Sequence, residues 1–205
     1  MKKILFTTII FSNFIFSQNI DFEGFMDFSY SSNLGKIHLE VNNLDKEFLY
    51  INSLSRGIGN NDLGLDRGQL GNTRIVFFTK RGNKILLIQP NTKYVSNSDN
   101  YLENRAVEEA FARSVLFSFE IIEEKNNNYV IDLTPLLIND AHGVAQRLSY
   151  SNSGNYSLNK LMSAIELDRT KAFPKNIEFD VILTFTGNPM GNLVRSVTPT
   201  PSNIT

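Results

Sequence analysis

The sequence predicts an α+β fold, mainly antiparallel β-sheet built of hairpins, with one or two helices packed on it. Three observations predict this fold. Apolar and polar residues alternate over several short segments, turn-forming residues separate those segments, and only one segment repeats its apolar residues at helical spacing. The length of 205 residues and the 41% hydrophobic content suit one globular domain with a core.

The first half of the chain contains two expected pairs of strands. The segment 36–41 alternates apolar and polar residues, as a half-buried strand does, and a second strand is expected over 48–54 after a polar turn. Residues 74–79 and 84–89 flank a turn that contains Gly and Asn, which predicts a hairpin. Both strands of this hairpin are apolar on both faces, so we expect them to be central in the sheet and covered on each side.

One helix is expected shortly before the middle of the chain. Leu102, Ala106 and Ala110 recur every four residues, which places them on one side of a helix. Asn100 and Glu103 suit the N-cap and N3 positions of a variant capping box. Glu109 and Arg113 have the spacing of a favourable i,i+4 pair at the end of this helix.

The remaining half of the chain is expected to be rich in strands. We expect residues 135–148 to be irregular with one helical turn, followed by a loop over 149–155. Strands are predicted at 115–121, 129–134, 165–169 and 177–186.

The N-terminus has the layout of a secretory signal peptide over residues 1–17. Lys2 and Lys3 form a positive region, an apolar run follows over 4–16, and Ser17 is a small residue at a suitable cleavage point. The apolar run is shorter than the roughly 20 residues that a transmembrane helix needs. We therefore expect an exported protein, in the periplasm, at the cell surface or outside the cell; the alternative is a buried N-terminal strand or helix.

The rest of the chain divides into three expected parts. Residues 18–35 are interpreted as a lead-in segment, residues 36–190 as a β-rich accessory domain, and residues 191–205 as a Thr/Pro-rich tail. For the tail, a disordered C-terminus and a truncated continuation both stay open. No stretch after the signal peptide approaches transmembrane length.

Charge and residue usage argue against several functions. Twenty Lys and Arg against 21 Asp and Glu leave a net charge of −1, without the basic excess typical of proteins that bind nucleic acid. The absence of Cys excludes disulfides, thiolate nucleophiles and cysteine-ligated metals. The two histidines, His38 and His142, are far apart in sequence, and a lone histidine is seldom a metal ligand. We therefore predict no catalytic residue, no bound metal and no cofactor in this chain.

The most unusual segment is the glycine loop, residues 55–71, which lies between apolar strands. Such a density of glycine indicates backbone conformations that other residues resist, or close approach by another surface. The loop lacks the Gly-Lys-Ser/Thr ending of a phosphate-binding loop. We interpret it as a structural or docking loop through Gly57, Gly59, Gly64, Gly68 and Gly71.

Two alternatives for the glycine loop stay open. Asn60, Asp62 and Asp66 alternate in the manner of calcium-binding loops, although the distant Glu of an EF-hand is missing. The other alternative is a plain surface loop held by side-chain turns.

A resemblance suggests a function. FLYINSLSRGIGNNDLGLDRGQLG (48–71) and RIVFFTKRGNKILLIQPNTKYVS (74–96) closely resemble the N-terminal domain of a family of large exported bacterial zinc-dependent metalloproteases. The similarity continues through AVEEAFARSVLFSFEII (106–122), YVIDLTPLLINDAHGV (129–144) and RTKAFPKNIEFDVILTFTG (169–187) to RSVTPT (195–200). It covers about residues 36–200, and the domain that it resembles has no known function.

The resemblance implies that this chain is non-catalytic. In that family the zinc ligands and the general base belong to an HExxH motif downstream, and this sequence has no such motif. The resemblance therefore implies an accessory domain truncated before the catalytic domain, with the catalytic domain as its partner and zinc held there. If the glycine loop docks on that partner, Gly64→Val or Gly68→Val should impair folding or activity of the full-length protease.

The alternative function is an independent exported binding or adhesion domain. It would use exposed aromatic residues such as Tyr50, Tyr94 and Tyr101 to hold a peptide or a glycan. A self-sufficient binding domain should be monodisperse and melt cooperatively, whereas a part of a protease should leave an apolar patch uncovered.

Overall fold

A computed structural model describes residues 19–205, so the signal peptide predicted at 1–17 lies outside the described residues. The larger of two β-sheets has eight strands in the order β1-β2-β3-β8-β7-β6-β5-β4, and each neighbouring pair is antiparallel. Its strands are β1 (Asn19–Phe22), β2 (Phe28–Ser31), β3 (Lys36–Val41), β4 (Phe48–Tyr50), β5 (Arg74–Arg81), β6 (Lys84–Gln89), β7 (Ser114–Lys125) and β8 (Asn128–Asp132).

The smaller sheet has three strands in the order β11-β10-β9. They are β9 (Gly154–Phe173), β10 (Asn176–Pro189) and β11 (Asn203–Ile204), and the helices are α1 (Tyr101–Ala110), α2 (Thr134–Leu137) and α3 (Val144–Tyr150). The predicted predominance of antiparallel strands is confirmed, and the described helices are short. Within residues 19–205, no helix combines the length and the apolar character that a membrane crossing requires.

Local sequence explains the best-defined elements. The side chains of β3 alternate between half-buried and buried along its whole length, as its sequence pattern predicts. The hairpin β5–β6 turns at Gly82, whose φ is +61°. The hairpin β7–β8 turns through Asn126 and Asn127, both at positive φ, as the tight turns of hairpins require.

The first hydrophobic core lies on one face of the large sheet, which we call the inner face. The hairpin β9–β10 covers this face, and Phe179 of β10 packs against Phe28 of β2 with ring centroids 4.8 Å apart. The buried residues are Met26, Phe28, Ile37, Leu39, Val41, Val76, Phe78, Ile85, Leu87, Phe119, Tyr129, Ile131 and Leu133.

The second hydrophobic core lies near the other end of the same hairpin. It joins the glycine loop, α3, the open end of β9–β10 and the C-terminal segment. Its buried residues are Leu63, Leu65, Val144, Leu148, Tyr156, Phe185, Val194 and Ile204.

Strand β9 contains two bulges of the same construction. In the first, residues 160–163 stand against one residue of β10, and the Ser163 hydroxyl donates to the Asn159 carbonyl at 2.8 Å and accepts from the Thr184 N–H at 3.0 Å. In the second, residues 167–170 stand against one residue of β10, and the Thr170 hydroxyl bonds in the same way to residues 166 and 180, at 3.0 and 3.3 Å. Bulges of this kind bend a strand, which fits a hairpin that contributes to both cores.

Several elements differ from the sequence expectations. The lead-in predicted over 18–35 takes part in the large sheet through β1 and β2. The predicted strand 48–54 is limited to β4, and the predicted strand 165–169 is the middle of β9. The tail 191–205 is packed, because Val194 and Ile204 are buried in the second core.

Helix α1 forms where expected, but it is not packed as expected. The Asn100 side chain accepts the Leu102 N–H at 2.9 Å, which confirms the predicted N-cap. The predicted pair of Glu109 with Arg113 is wrong, since the helix ends at Ala110, and Glu109 pairs instead with Arg105 at 2.7 Å. None of the helix residues is buried, so α1 lies on the surface.

Candidate functional site

The glycine loop is a closed loop stapled at its base by backbone hydrogen bonds. Ser53 and Leu70 form a β-bridge, and the Gly71 N–H donates to the Asn52 carbonyl at 2.7 Å. Further in, the Gly68 N–H donates to the Leu54 carbonyl at 2.7 Å. The ends of the loop are therefore fixed by the backbone, without help from another domain.

A short 3-10 helix, Asn61–Leu63, forms the tip of the loop. The Asn60 side chain caps it by accepting the Asp62 N–H at 3.0 Å, and Gly64 ends it in the left-handed conformation at φ +61°. The Asn60 amide also donates to the Leu193 carbonyl at 3.1 Å, which ties the loop to the C-terminal segment.

The apolar side chains of the glycine loop point into the chain's own core. Leu63 and Leu65 are each 1% exposed and belong to the second core beside Leu148 of α3. Burying a leucine is worth about 2 kcal/mol, so these two side chains give the loop a structural role within the domain.

An added side chain would collide with neighbouring atoms at only some of the five glycines. A Cβ on Gly57 would lie 2.8 Å from the backbone N of Arg67, and a Cβ on Gly71 would overlap the side chain of Asn52. Gly68 has open space around it but a φ of +82°, which a side chain resists. Gly59 also has a positive φ, +89°.

A polar cluster that sequence reasoning missed joins the glycine loop to the start of α3. The Asn52 amide lies 3.1 Å from Nδ1 of His142, and Nε2 of His142 lies 3.4 Å from the Gln69 side-chain oxygen. A neutral imidazole with its proton on Nε2 satisfies both contacts. No sequence motif marks this cluster, because Asn52 and His142 are brought together only by the fold.

Burial and the neighbouring Arg147 guanidinium lower the pKa of His142, while the Asp140 carboxylate acts in the opposite direction. Asp140 is itself engaged, because its two oxygens accept the N–H groups of Val144 and Ala145 at 2.7 and 3.0 Å. The cluster therefore favours a neutral histidine that holds two amide side chains.

The calcium candidates Asn60, Asp62 and Asp66 lie in and beside the 3-10 helix of the glycine loop. The Asn60 side-chain oxygen accepts the Asp62 N–H at 3.0 Å and so caps this helix. Among residues 19–205, no group of three or more His, Cys, Asp or Glu side chains is placed to hold a metal ion. His38 lies on β3, opposite Ser29 and Asp132, away from His142.

The three tyrosines of the binding-domain alternative do not form one site. Tyr50 packs against the first core, where burial raises its pKa against the opposing effect of Arg74. Tyr101 is exposed on the first turn of α1, and Tyr94 stacks on Phe111 at 4.1 Å between ring centroids.

Tyr94 lines a cleft of about 520 Å³ beside the opposite, outer face of the large sheet. Residues 90–113 connect the neighbouring strands β6 and β7, and α1 forms part of the wall. Half of the lining residues are polar or charged. The lining consists of Glu47, Asn91, Ser96, Asn104, Glu108 and Arg113 together with Phe77, Pro90, Tyr94, Val95, Val107 and Phe111.

An apolar row crosses the outer face of four strands. Val76 and Phe78 belong to the first core, so Ile75 and Phe77 point to the outer face. Cross-strand pairs link Leu49 to Ile75, Phe77 to Ile88 and Ile88 to Val115. Leu49 is 71% exposed and Val115 56% exposed, so both ends of the row face solvent. The outer face, predicted to be covered, is therefore covered only in part.

Residues 68–204 show to which family the chain belongs. Over this range the chain matches the family model described as Domain of unknown function (DUF5117). The chain belongs to this family. The DUF5117 match begins at Gly68, so it includes β5 to β11 and leaves most of the glycine loop outside. No curated protein and no solved structure matches the chain.

Proposed function

We propose that this DUF5117 chain is a non-catalytic accessory domain of an exported zinc-dependent metalloprotease. In this proposal the domain packs against the catalytic domain and supports it. The catalytic domain carries the HExxH motif, and the zinc ion belongs there. The resemblance of residues 36–200 to the N-terminal domain of such proteases motivates the proposal.

The observation that carries the proposal is the apolar row. Leu49, Ile75, Phe77, Ile88 and Val115 follow one another across β4 to β7. Leu49, Ile75 and Val115 are exposed, Phe77 is half-buried and Ile88 is buried at 4% exposure. Exposed apolar surface of this kind is typical of sites that another protein covers. The row thus supplies a surface for a catalytic domain. The leucines of the glycine loop, in contrast, are buried inside its own domain.

The histidines support a non-catalytic role. Metal-assisted peptide hydrolysis needs two or more imidazoles around one ion, with a carboxylate as general base. Both ring nitrogens of His142 face amide side chains of the glycine-loop region, and His38 lies elsewhere, on β3.

The simplest test is to read the DNA that follows the codon for Thr205. An in-frame continuation that encodes HExxH supports the proposal. A stop codon followed by unrelated sequence counts against it and favours a self-sufficient binding domain.

A second test uses the apolar row. The full chain is produced together with the HExxH-bearing polypeptide, and size-exclusion chromatography measures whether the two elute together. We expect the wild type and the control Leu34→Gln, whose leucine is 64% exposed between β2 and β3, to form the complex. The double variant Leu49→Gln, Val115→Gln should lose it. A complex that survives the double variant contradicts docking through the row.

The cleft beside α1 supports a second candidate, a binding domain for a peptide or a glycan. Its volume of about 520 Å³ and its stacked Tyr94 and Phe111 are suitable for a small ligand. Titration of the isolated chain with peptide and glycan arrays separates the candidates. Saturable binding that Tyr94→Ala abolishes, by a chain that is monodisperse alone, favours the binding domain.

A further inference from the structure

Three charged side chains line the cleft beside α1 without a charged partner of their own. Glu47 lies just before β4, Glu108 lies on α1 and Arg113 lies just before β7, and all three are exposed. None of the ion pairs found within residues 19–205 includes any of them. Exposed charges are common on protein surfaces, but here two carboxylates and a guanidinium from three different segments surround one cavity.

Helix α1 adds an unsatisfied hydrogen-bond acceptor to the same cleft. Asn104 and Glu108 both line the cleft and are four residues apart, which places them on the same side of the helix. The Asn104 amide nitrogen donates to the Ser98 carbonyl at 2.9 Å, whereas its side-chain oxygen is buried and has no hydrogen-bond partner. A buried acceptor without a donor is unfavourable, so a ligand that brings an N–H group to this wall is stabilised there.

These groups favour a charged ligand over a neutral one. A neutral glycan that filled the cleft would remove carboxylates and a guanidinium from water without pairing them, which costs free energy. A ligand that carries both a positive and a negative group pairs them instead, and such complementarity determines specificity. The apolar part of the lining, in which Phe77 and Val107 are half-buried, suits a ligand with an apolar stem between its charges.

We infer that the cleft binds the C-terminus of a peptide that ends in arginine. The α-carboxylate of the peptide pairs with Arg113, and its guanidinium pairs with Glu47 and Glu108. The planar guanidinium has five N–H donors, enough to bridge two carboxylates and to reach the Asn104 oxygen as well. The volume of about 520 Å³ lies in the range of small-ligand sites. This inference names a ligand for the second candidate of the preceding section, the binding domain, and rests on it.

The test measures the binding of fluorescently labelled peptides to the full chain by fluorescence polarisation. Three peptides have the same alanine residues before the last position. One ends in arginine with a free carboxylate, one ends in arginine amide, and one ends in citrulline, which replaces the guanidinium by a neutral urea. The first should bind saturably. The other two each lack one charge and should bind about tenfold more weakly, because the hydrogen bonds to that charge are lost.

Variants of the chain assign each charge of the peptide to its partner. Arg113→Gln should bind the arginine peptide and its amide with equal affinity, since the carboxylate no longer has a charged partner. The double variant Glu47→Gln, Glu108→Gln should lose the preference for arginine over citrulline. The control Glu123→Gln, exposed on β7 and outside the cleft lining, should keep both preferences. Because the substituted side chains are exposed, each variant should keep the thermal unfolding midpoint of the wild type.

Two results with the wild type would overturn the inference: no saturable binding of the arginine peptide, or an analogue that binds as tightly as the arginine peptide. This comparison needs no variant, so it decides even where a variant fails to fold. Unchanged preferences in both charge variants would overturn the inference as well, since the peptide would then bind elsewhere.

The same measurements separate this inference from the binding domain on which it rests. Saturable binding of a glycan or another peptide that Tyr94→Ala abolishes, without a preference for arginine, rejects the inference and keeps the binding domain. If no peptide and no glycan binds, both are rejected.

Discussion

The side-chain amide of Asn52 meets Nδ1 of His142 at 3.1 Å, and this contact fastens the base of the glycine loop to the start of α3. The imidazole can accept this hydrogen bond only when Nδ1 carries no proton. The contact therefore couples the second core to the protonation of one histidine.

Acidification should weaken the fold through His142. Burial, followed by Arg147, lowers the pKa of His142 below its ordinary value, so the unfolded chain takes up a proton before the folded chain does. The stability that neutral His142 contributes is complete above the ordinary histidine pKa of about 6.5. It is lost as the pH falls from there through the lowered pKa of His142 in the folded chain. Urea unfolding between pH 8 and 5 measures the effect.

The variant for this experiment is His142→Gln, which should flatten the pH dependence in that window. An unchanged slope in His142→Gln would contradict the assignment.

The leucines of the glycine loop should behave as core residues. Leu63→Ala removes a side chain that is 1% exposed in the second core, and we expect a loss of about 2–5 kcal/mol in the free energy of unfolding. Leu70→Ala, at an exposed position of the same loop, should change it by less than about 0.5 kcal/mol. Chemical denaturation of both variants checks this, and similar losses in the two would show that the loop is not part of the core.

Substitution by alanine should destabilise the fold at two glycines of the loop, for different reasons. Gly57→Ala places a Cβ against the backbone of Leu65 and Arg67, which cannot move aside easily, so we expect a loss of about 1–3 kcal/mol. Gly68→Ala meets no atom but holds alanine at positive φ, which costs about 1–2 kcal/mol.

Gly68→Asn separates these two causes, because asparagine tolerates the left-handed conformation better than alanine. The thermal unfolding midpoint of Gly68→Asn should lie above that of Gly68→Ala. At position 57, the midpoint of the Asn variant should not exceed that of the Ala variant. A higher midpoint for Asn at position 57 would contradict the packing explanation.

The hydroxyl of Thr170 should be essential to the second bulge. It is fully buried, donates to the Glu166 carbonyl and accepts the Asp180 N–H. Thr170→Val keeps the shape but leaves both backbone groups without this partner, so we expect a loss of about 1–3 kcal/mol. Hydrogen exchange of the Asp180 amide should accelerate in this variant. Ser157→Ala, at an exposed position of the same strand, is the control and should leave that rate unchanged.

Much of the large sheet could be predicted from sequence, because its strands keep a period of two. The strand β3 and the hairpin β5–β6 appear at the predicted places. The first two strands were missed since each has only four residues, too few to show a period. Strand β9 was recognised only in its middle, because residues 160–163 and 167–170 interrupt its alternation at both bulges.

The candidate sites were less predictable than the fold. The density of glycine did identify a loop with unusual backbone conformations, but not that Leu63 and Leu65 would turn inward. His142 looked isolated in sequence, since its partners Asn52 and Gln69 reach it only through tertiary contacts. The apolar row joins residues from four strands, and such a surface has no signature in any single segment.

The long hairpin of the smaller sheet also bears on how the domain folds. Residues of β9 and β10 complete both hydrophobic clusters, and the Phe25 N–H near the start of the described chain bonds to the Phe173 carbonyl at the hairpin's tip, at 2.8 Å. Neither cluster can close until this late-synthesised segment has left the ribosome. Contacts between such distant parts of a chain slow folding, so a nascent polypeptide of this family should remain open for an extended time during its synthesis.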